Sequence, residues 1–252
     1  MKLIMSVCSR GLIMLYFMSD IHGDLKAFKR MLKKINFNTK KDQLIIIGDI
    51  VDRDPGGIEI INMLKPWIKE GIATVCMGNH ELFTSMWMRG KLSDRKWMAF
   101  GGEETLKIIK NFSFDQKKEL LNFLENLPIY IEKDLPNFGK TVITHSGIHC
   151  DHYVYNEDGT INVIKSIEKA VEKDLYDFLV SNDIHYIPSG DLKKLDRYMI
   201  IGHTPTIRMN EDRSCKIIRT PYYMDIDSGS GYRKDGGRLS CYCADTDEEF
   251  YV

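Results

Sequence analysis

With 252 residues, 43% of them hydrophobic, the chain is long enough to bury a substantial core without disulfide or metal staples. Its 35 basic and 36 acidic residues nearly cancel, which excludes the one-signed surface that nucleic acid or an anionic membrane calls for, so an anionic substrate has to be captured locally. The six cysteines are scattered without a CxxC pair, Arg10 interrupts the apolar opening, no small-residue cleavage site follows and no apolar run could span a bilayer; a reduced cytoplasm is the expected compartment, with residues 1–13 as an N-terminal extension.

The first half alternates short apolar runs with helical patterns: strand LIMLYFM, helix LKAFKRMLKKI, strand QLIIIG, helix GIEIINMLKPWI and strand ATVCMG. That βαβ rhythm predicts a sheet with helices packed on it, and each strand runs into a polar cluster at its carboxyl end, where open α/β sheets place their ligands. Residues 82–127 read as mostly helical, with Ser113 and Gln116 in capping-box spacing before Leu120, Leu124 and Leu127. This region is either a plain cover or a lid that shapes the substrate site. After TVITHSG the pattern loosens over 150–165, with a turn expected at NEDG and a helix over Ile164 to Leu179. From Tyr198 the runs YMIIG, CKIIR, YYMDI, RLSCYC and EFYV predict a second, largely antiparallel sheet. No repeat or linker divides the chain, and one domain over 1–252 is expected.

Five clusters follow directly after apolar runs: Ser19-Asp20-Ile21-His22-Gly23-Asp24, Gly48-Asp49-Ile50-Val51-Asp52-Arg53, Gly78-Asn79-His80-Glu81, His145-Ser146-Gly147 and Gly202-His203-Thr204-Pro205. One sheet edge could gather them all. Each alone is as well explained by a polar turn, but together they supply carboxylate, amide oxygen and imidazole, a donor set that suits manganese, iron or zinc. Other phosphate chemistries fail: Gly139-Lys140-Thr141 lacks the first glycine of a phosphate-binding loop, and Asn156 stands where a cysteine phosphatase needs arginine after His149-Cys150.

These residues resemble the calcineurin-like metallophosphoesterases, written in that family as DxH, GDxxDR, GNHE, H and GH, and within it the phosphoprotein-phosphatase branch. Residues 14–252 follow the resemblance in register, including MDIDSGSGY and GGRLSCYCADTDEEFYV. It implies an α/β fold, a four-layered α/β/β/α sandwich of two mixed sheets with a dinuclear metal site at the sheet edges. It further implies two divalent ions, manganese first, with Asp20 and His22 on one, Asn79, His145 and His203 on the other, and Asp49 bridging. A hydroxide between the ions would attack phosphorus in line, His80 would protonate the leaving group, Asp52 would orient His80, and Arg53 would clamp the phosphate oxygens together with Asn79 and His80. Glu81 is expected to support the site without being a ligand, and His152 and His185 to be ordinary surface or core histidines.

Two departures stand out. Asp54 replaces the glycine that ends the family's GDxVDRG, and Asn182 stands where phage-type relatives carry a second phosphate-binding arginine, for which Arg197, Arg208 or Arg233 are candidates. The resemblance thus implies a metal-dependent phosphomonoesterase of the Ser/Thr protein phosphatase kind acting on a phosphorylated protein or small phosphorylated substrate. The alternative is a diadenosine tetraphosphate hydrolase, and a binding module without turnover is the reading from another class.

Overall fold

The computed structural model describes residues 13–252, so the expected extension lies, apart from residue 13, outside the described residues. The elements β1 (Leu15–Met18), α1 (Leu25–Lys34), β2 (Gln43–Ile46), α2 (Gly57–Lys69) and β3 (Ala73–Val75) alternate as the sequence predicts. Strand β2 runs parallel to β1, from Leu15↔Gln43 to Met18↔Ile46, and β3 runs parallel to β2. The region expected to be helical forms α3 (Asn79–Met88), α4 (Asp94–Ala99), α5 (Glu103–Lys110) and α6 (Phe114–Glu125), the last opened by the Ser113/Gln116 capping box.

A hairpin of β4 (Tyr130–Leu135) and β5 (Gly139–Thr144) comes next, then α7 (Val163–Lys173) and α8 (Leu175–Leu179). The single helix expected over 164–179 is therefore two. Asp174 takes an extended conformation with φ −161° and its carboxylate accepts the N–H groups of Tyr176 and Asp177, so it ends one helix and caps the next. The chain continues through α9 (Ser189–Leu192), β6 (Tyr198–Ile201), α10 (Thr206–Met209), β7 (Ile218–Arg219), β8 (Tyr223–Asp225), β9 (Ser240–Cys243) and β10 (Glu248–Tyr251).

The strands form two five-stranded sheets, in the orders β10-β9-β1-β2-β3 and β4-β5-β6-β8-β7. This corrects the expected partition in two respects. The segments RLSCYC and EFYV do not extend the second sheet; β9 lies antiparallel to β1, Tyr16 facing Cys243, and completes the first. The second sheet is mixed, since β5, β6 and β8 run parallel. The first follows from burial: β9 is buried along its whole length, and a position inside a sheet, with β1 on one side and β10 on the other, accommodates that.

Alternation along the strands builds the layers. Phe17, Ile45, Ile47 and Tyr242 of the first sheet meet Ile143, Ile200 and Met224 of the second in one buried cluster between the sheets. The intervening residues face outward: Met18, Leu44 and Ile46 pack with Phe28, Ile60 and Leu64, while Val142, Met199 and Ile201 belong to the same larger cluster as Ile167 and Leu179. Helix, sheet, sheet, helix is the result, and each fully buried Ile or Phe contributes about 1.5–3 kcal/mol. No helix among the described residues is long and apolar enough to cross a membrane.

Candidate metal centre

The loops after β1 and β2 are joined beyond the strands themselves. The N–H groups of Asp20, His22 and Gly23 donate to the carbonyls of Gly48, Asp49 and Ile50 at 3.2, 2.9 and 2.7 Å. This joint holds the two loops in unusual conformations: Asp20, His22, Asp49, Asp52 and Arg53 all have positive φ, as does His203 after β6, between +49° and +73°. A non-glycine residue there costs of the order of 1 kcal/mol, and six in one locality persist only because the surrounding structure compels them.

Glu81 supplies much of that compulsion. Its buried carboxylate accepts the N–H groups of Asp49 (2.7 Å), Ile50 (2.8 Å) and Gly78 (3.0 Å), which ties the start of α3 to the loop after β2. Gly78 permits the approach, since a Cβ there would lie 2.2 Å from Asp49 Oδ1. Glu81 thus has the supporting place expected of it. Asp49 Oδ1 in turn accepts the His80 N–H at 3.0 Å, and Asp20 Oδ2 accepts the His203 N–H at 3.0 Å, linking the two sheets across the site.

The expected ligand residues converge. Asp49 Oδ2 faces the Nε2 atoms of His145, His22 and His80 at 3.5, 3.7 and 3.9 Å, and His22 Nε2 lies 3.9 Å from Asp20 Oδ1. Asn79 Oδ1 lies 2.9 Å from both His145 Nε2 and His203 Nδ1. Two groups, His22–Asp49–His80 and Asp49–His145–His203, each bring their donor atoms within 4.8 Å of one another and share Asp49.

The arrangement fits cations. The Nδ1 of His145 lies 2.9 Å from the Ile47 carbonyl and that of His22 3.2 Å from the Val51 carbonyl; a carbonyl only accepts, so both rings carry a proton on Nδ1 and turn the Nε2 lone pair inward. His145 Nε2 and Asn79 Oδ1 are then two acceptors facing each other, a contact that a positive ion between them satisfies. Asp20 Oδ1 is buried without a hydrogen-bond partner, which is costly unless something positive approaches it.

Charge is tuned in the same sense. Burial, with Asp227 and Asp49 adding to it, raises the Asp20 pKa well above the carboxylate range. For Asp49 burial acts upward too, but His145, His80 and His22 together bring it well below the usual value. Burial lowers His22 and brings His203 down to about 3, helped in each case by neighbouring positive groups, so both imidazoles stay neutral and able to ligate. His80 differs: burial opposes its charge, yet Asp49 and Asp52 raise its pKa above the ordinary histidine value.

Asp52 lies where the sequence places it, with Oδ2 2.7 Å from His80 Nδ1. The same oxygen accepts the Trp97 indole N–H at 2.9 Å, and the Asp52 N–H donates to Thr105 Oγ1, also at 2.9 Å. The Arg53 N–H donates to the Gly101 carbonyl. The helical region is thus no bare cover, because it holds Asp52 beside His80 and the backbone of Arg53. Those contacts carried no signal in the sequence, where Trp97 reads as one more apolar residue.

The cavity at the site, about 290 Å³, is lined by Asp49, Arg53, Asn79, His80 and His203, and also by Asn182, Tyr186, Arg208 and Tyr232. Asp54 is exposed and not part of this lining. Of the three arginines considered in place of Asn182, Arg197 pairs with Glu132 and Arg233 with Asp24, while Arg208 alone lines the cavity. One neighbour of the site escaped the sequence reading. Asp227, buried after β8 with its carboxyl raised to about 8 by burial and Asp225, adds a carboxylate beside Asp20, and the run MDID held its signal. His185 is a core histidine, its Nε2 3.1 Å from Asp225 Oδ2, and burial lifts that carboxyl to about 6 against the pull of the imidazole.

Comparison with known proteins agrees with this geometry. A bis(5′-nucleosyl)-tetraphosphatase (symmetrical) of Buchnera aphidicola is 33% identical over 187 residues, 73% of this chain and 62% of the relative. The enzyme of the same name from Vibrio campbellii is 29% identical over 196 residues, 76% of this chain and 66% of its own. The match thus spans slightly less than two thirds of these relatives' length. The solved cold-active protein-tyrosine phosphatase of a psychrophilic Shewanella shares the fold, with a TM-score of 0.57 at 16% identity over 96% of this chain and 81% of its own. A model of the calcineurin-like phosphoesterases matches residues 13–229, and the chain belongs to that family.

Proposed function

We propose that the protein is a metal-dependent hydrolase of bis(5′-nucleosyl) tetraphosphates. The observation that carries the chemistry is the buried meeting of Asp49 Oδ2 with three imidazoles, beside the opposed acceptors of Asn79 and His145. The substrate class rests on the activity named for the curated relatives, which favours the alternative drawn from sequence over the protein phosphatase placed first. Divalent cations, manganese in this reading, supply charge neutralisation at phosphorus and a water activated near neutral pH.

The chain's own residues do the rest. Asp20 and His22 would hold one ion, Asn79, His145 and His203 the other, and Asp49 would serve both. Arg53 presents a planar fork to the non-bridging phosphate oxygens, with Asn79 and His80 beside it in the cavity. Asp52 fixes the His80 ring through Nδ1, so the proton His80 can give up sits on Nε2, the atom turned toward Asp49. Phosphoprotein hydrolysis is the second reading, and the raised pKa of His80 favours it, since a serine or threonine alkoxide needs a proton on leaving and a nucleoside diphosphate needs one less.

Hydrolysis of diadenosine tetraphosphate, a phosphothreonine peptide and a phosphodiester by the manganese-reconstituted chain, with Asp49→Asn as control, decides between the readings. Fastest turnover of the tetraphosphate to adenosine diphosphate, abolished in the control, is the expected result. Preference for the peptide would overturn it.

A further inference from the structure

The cavity at the metal centre adjoins another. It shares Arg208 and Tyr232 with a second cavity of about 510 Å³, within the roughly 300–1,000 Å³ typical of small-ligand sites. The Arg53 and Arg208 guanidiniums both stack on the Tyr232 ring, their Cζ atoms 4.2 and 4.3 Å from its centroid. Among the described residues neither has a carboxylate at ion-pair distance, although Arg197, Arg219 and Arg233 are all taken by acids. A guanidinium held over a ring keeps N–H groups to offer an anion, and the repulsion between two like charges on one ring is relieved when an anion approaches them.

The placement is firm. Arg208 belongs to the segment that carries His203, and that segment is tied down by the Thr206 N–H donating to the Asp227 carbonyl (2.7 Å) and the Arg208 N–H donating to the Pro205 carbonyl (2.8 Å). Past Arg208 the charges are mixed: the second cavity is lined by Ile207 and Arg213 but also by Glu211 and Asp235. A long polyanion would be repelled by those carboxylates. A short anionic linker ending in a neutral sugar and base matches the sequence of cation, then acceptors and an apolar side chain.

We propose that the second cavity is the subsite for the leaving nucleoside diphosphate, and that Arg208, steadied by Tyr232, binds the phosphate next to the one held at the metal centre. This rests on the nucleotide reading above and adds a specificity-determining residue to it. Arg208 would select substrates with adjoining phosphates, and Tyr232 acts through Arg208 as a positioning residue.

The test compares kcat/KM for diadenosine tetraphosphate with that for p-nitrophenyl phosphate, a small monoester, in the manganese-reconstituted chain. Loss of a charged hydrogen bond corresponds to about 10–100-fold, so Arg208→Gln is expected to lower the ratio of the two by that factor. Tyr232→Phe should retain the ratio and Tyr232→Leu lower it. Calorimetric titration of the chelator-treated protein with adenosine diphosphate gives a second readout, in which Arg208→Gln weakens binding at least about tenfold. Equal losses for both substrates, or equal diphosphate affinity in wild type and variant, would overturn the subsite. Absence of tetraphosphate turnover with Arg208-dependent diphosphate binding would remove the hydrolase reading and leave the subsite standing.

Discussion

Two places among the described residues bring histidine and acid donors close together, and they differ in burial and in how their polar atoms are satisfied. Around Asp49 the side chains are almost wholly buried, His145 at 0%, Asp49 at 2% and His22 at 3% exposed. At His149–Cys150–Asp151 the donor atoms also come within 4.8 Å of one another, but the His149 and Asp151 side chains are 41% and 72% exposed. The exposed turn satisfies itself, its His149 Nδ1 accepting the Asp151 N–H, and water serves the remainder. In the buried cluster the lone pairs of His145 and Asn79 face each other, among neighbours (Asp20, His22, Asp49 and His203) held at positive φ. Proximity of ligand-type residues therefore says little; burial without partners, maintained against backbone strain, is what singles out a metal centre.

Removing the shared carboxylate should break the contrast most completely. Asp49→Asn is expected to strip both metals and reduce hydrolysis to background, read by metal content and turnover on the same sample; a variant keeping both ions would refute the shared role. His80→Asn should leave the metals bound and slow an alkyl phosphate by about 10²–10⁴-fold. The tetraphosphate should suffer less, because the leaving phosphate oxygen is protonated only near pH 6 or so; equal slowing of both substrates would remove the proton-donor role. Glu81→Gln replaces one of two oxygens that collect backbone N–H groups with an NH2 group that cannot accept them, and manganese affinity should fall about 10–100-fold in a binding titration. Cys150→Ser marks the other end of the scale. Metal content and activity should stay within about twofold of wild type, as for other exposed substitutions, and a lost ion would mean that the exposed turn is a site after all.

Much of the metal centre is legible in the sequence because each cluster directly follows a strand, and a strand leaves no ambiguity about which residue comes first at its end. Asp20, Asp49, Asn79, His145 and His203 are reached within a few residues of Met18, Ile46, Val75, Thr144 and Ile201. Other features depend on which segments meet in space, and periodicity does not report that. RLSCYC alternates in the same way whichever sheet it joins, the break at Asp174 hides inside a continuous apolar pattern, and Trp97 gives no sign that its indole reaches Asp52. The stacking of Arg53 and Arg208 on Tyr232 joins three distant segments, so no local pattern announces it.

The pairing of β1 with β9 sets a timetable for biosynthesis. Asp20 and His22 leave the ribosome early, but the strand beside them is completed only when Tyr242 and Cys243 follow, after nearly all the intervening chain has been made. Contacts so far apart in sequence form late. A nascent chain carrying every ligand residue through His203 would still have an unpaired edge at β1, and the same metal that suits the finished enzyme would find no settled place in it. Completion of the centre accordingly waits for Tyr242 and Cys243 to pair with β1.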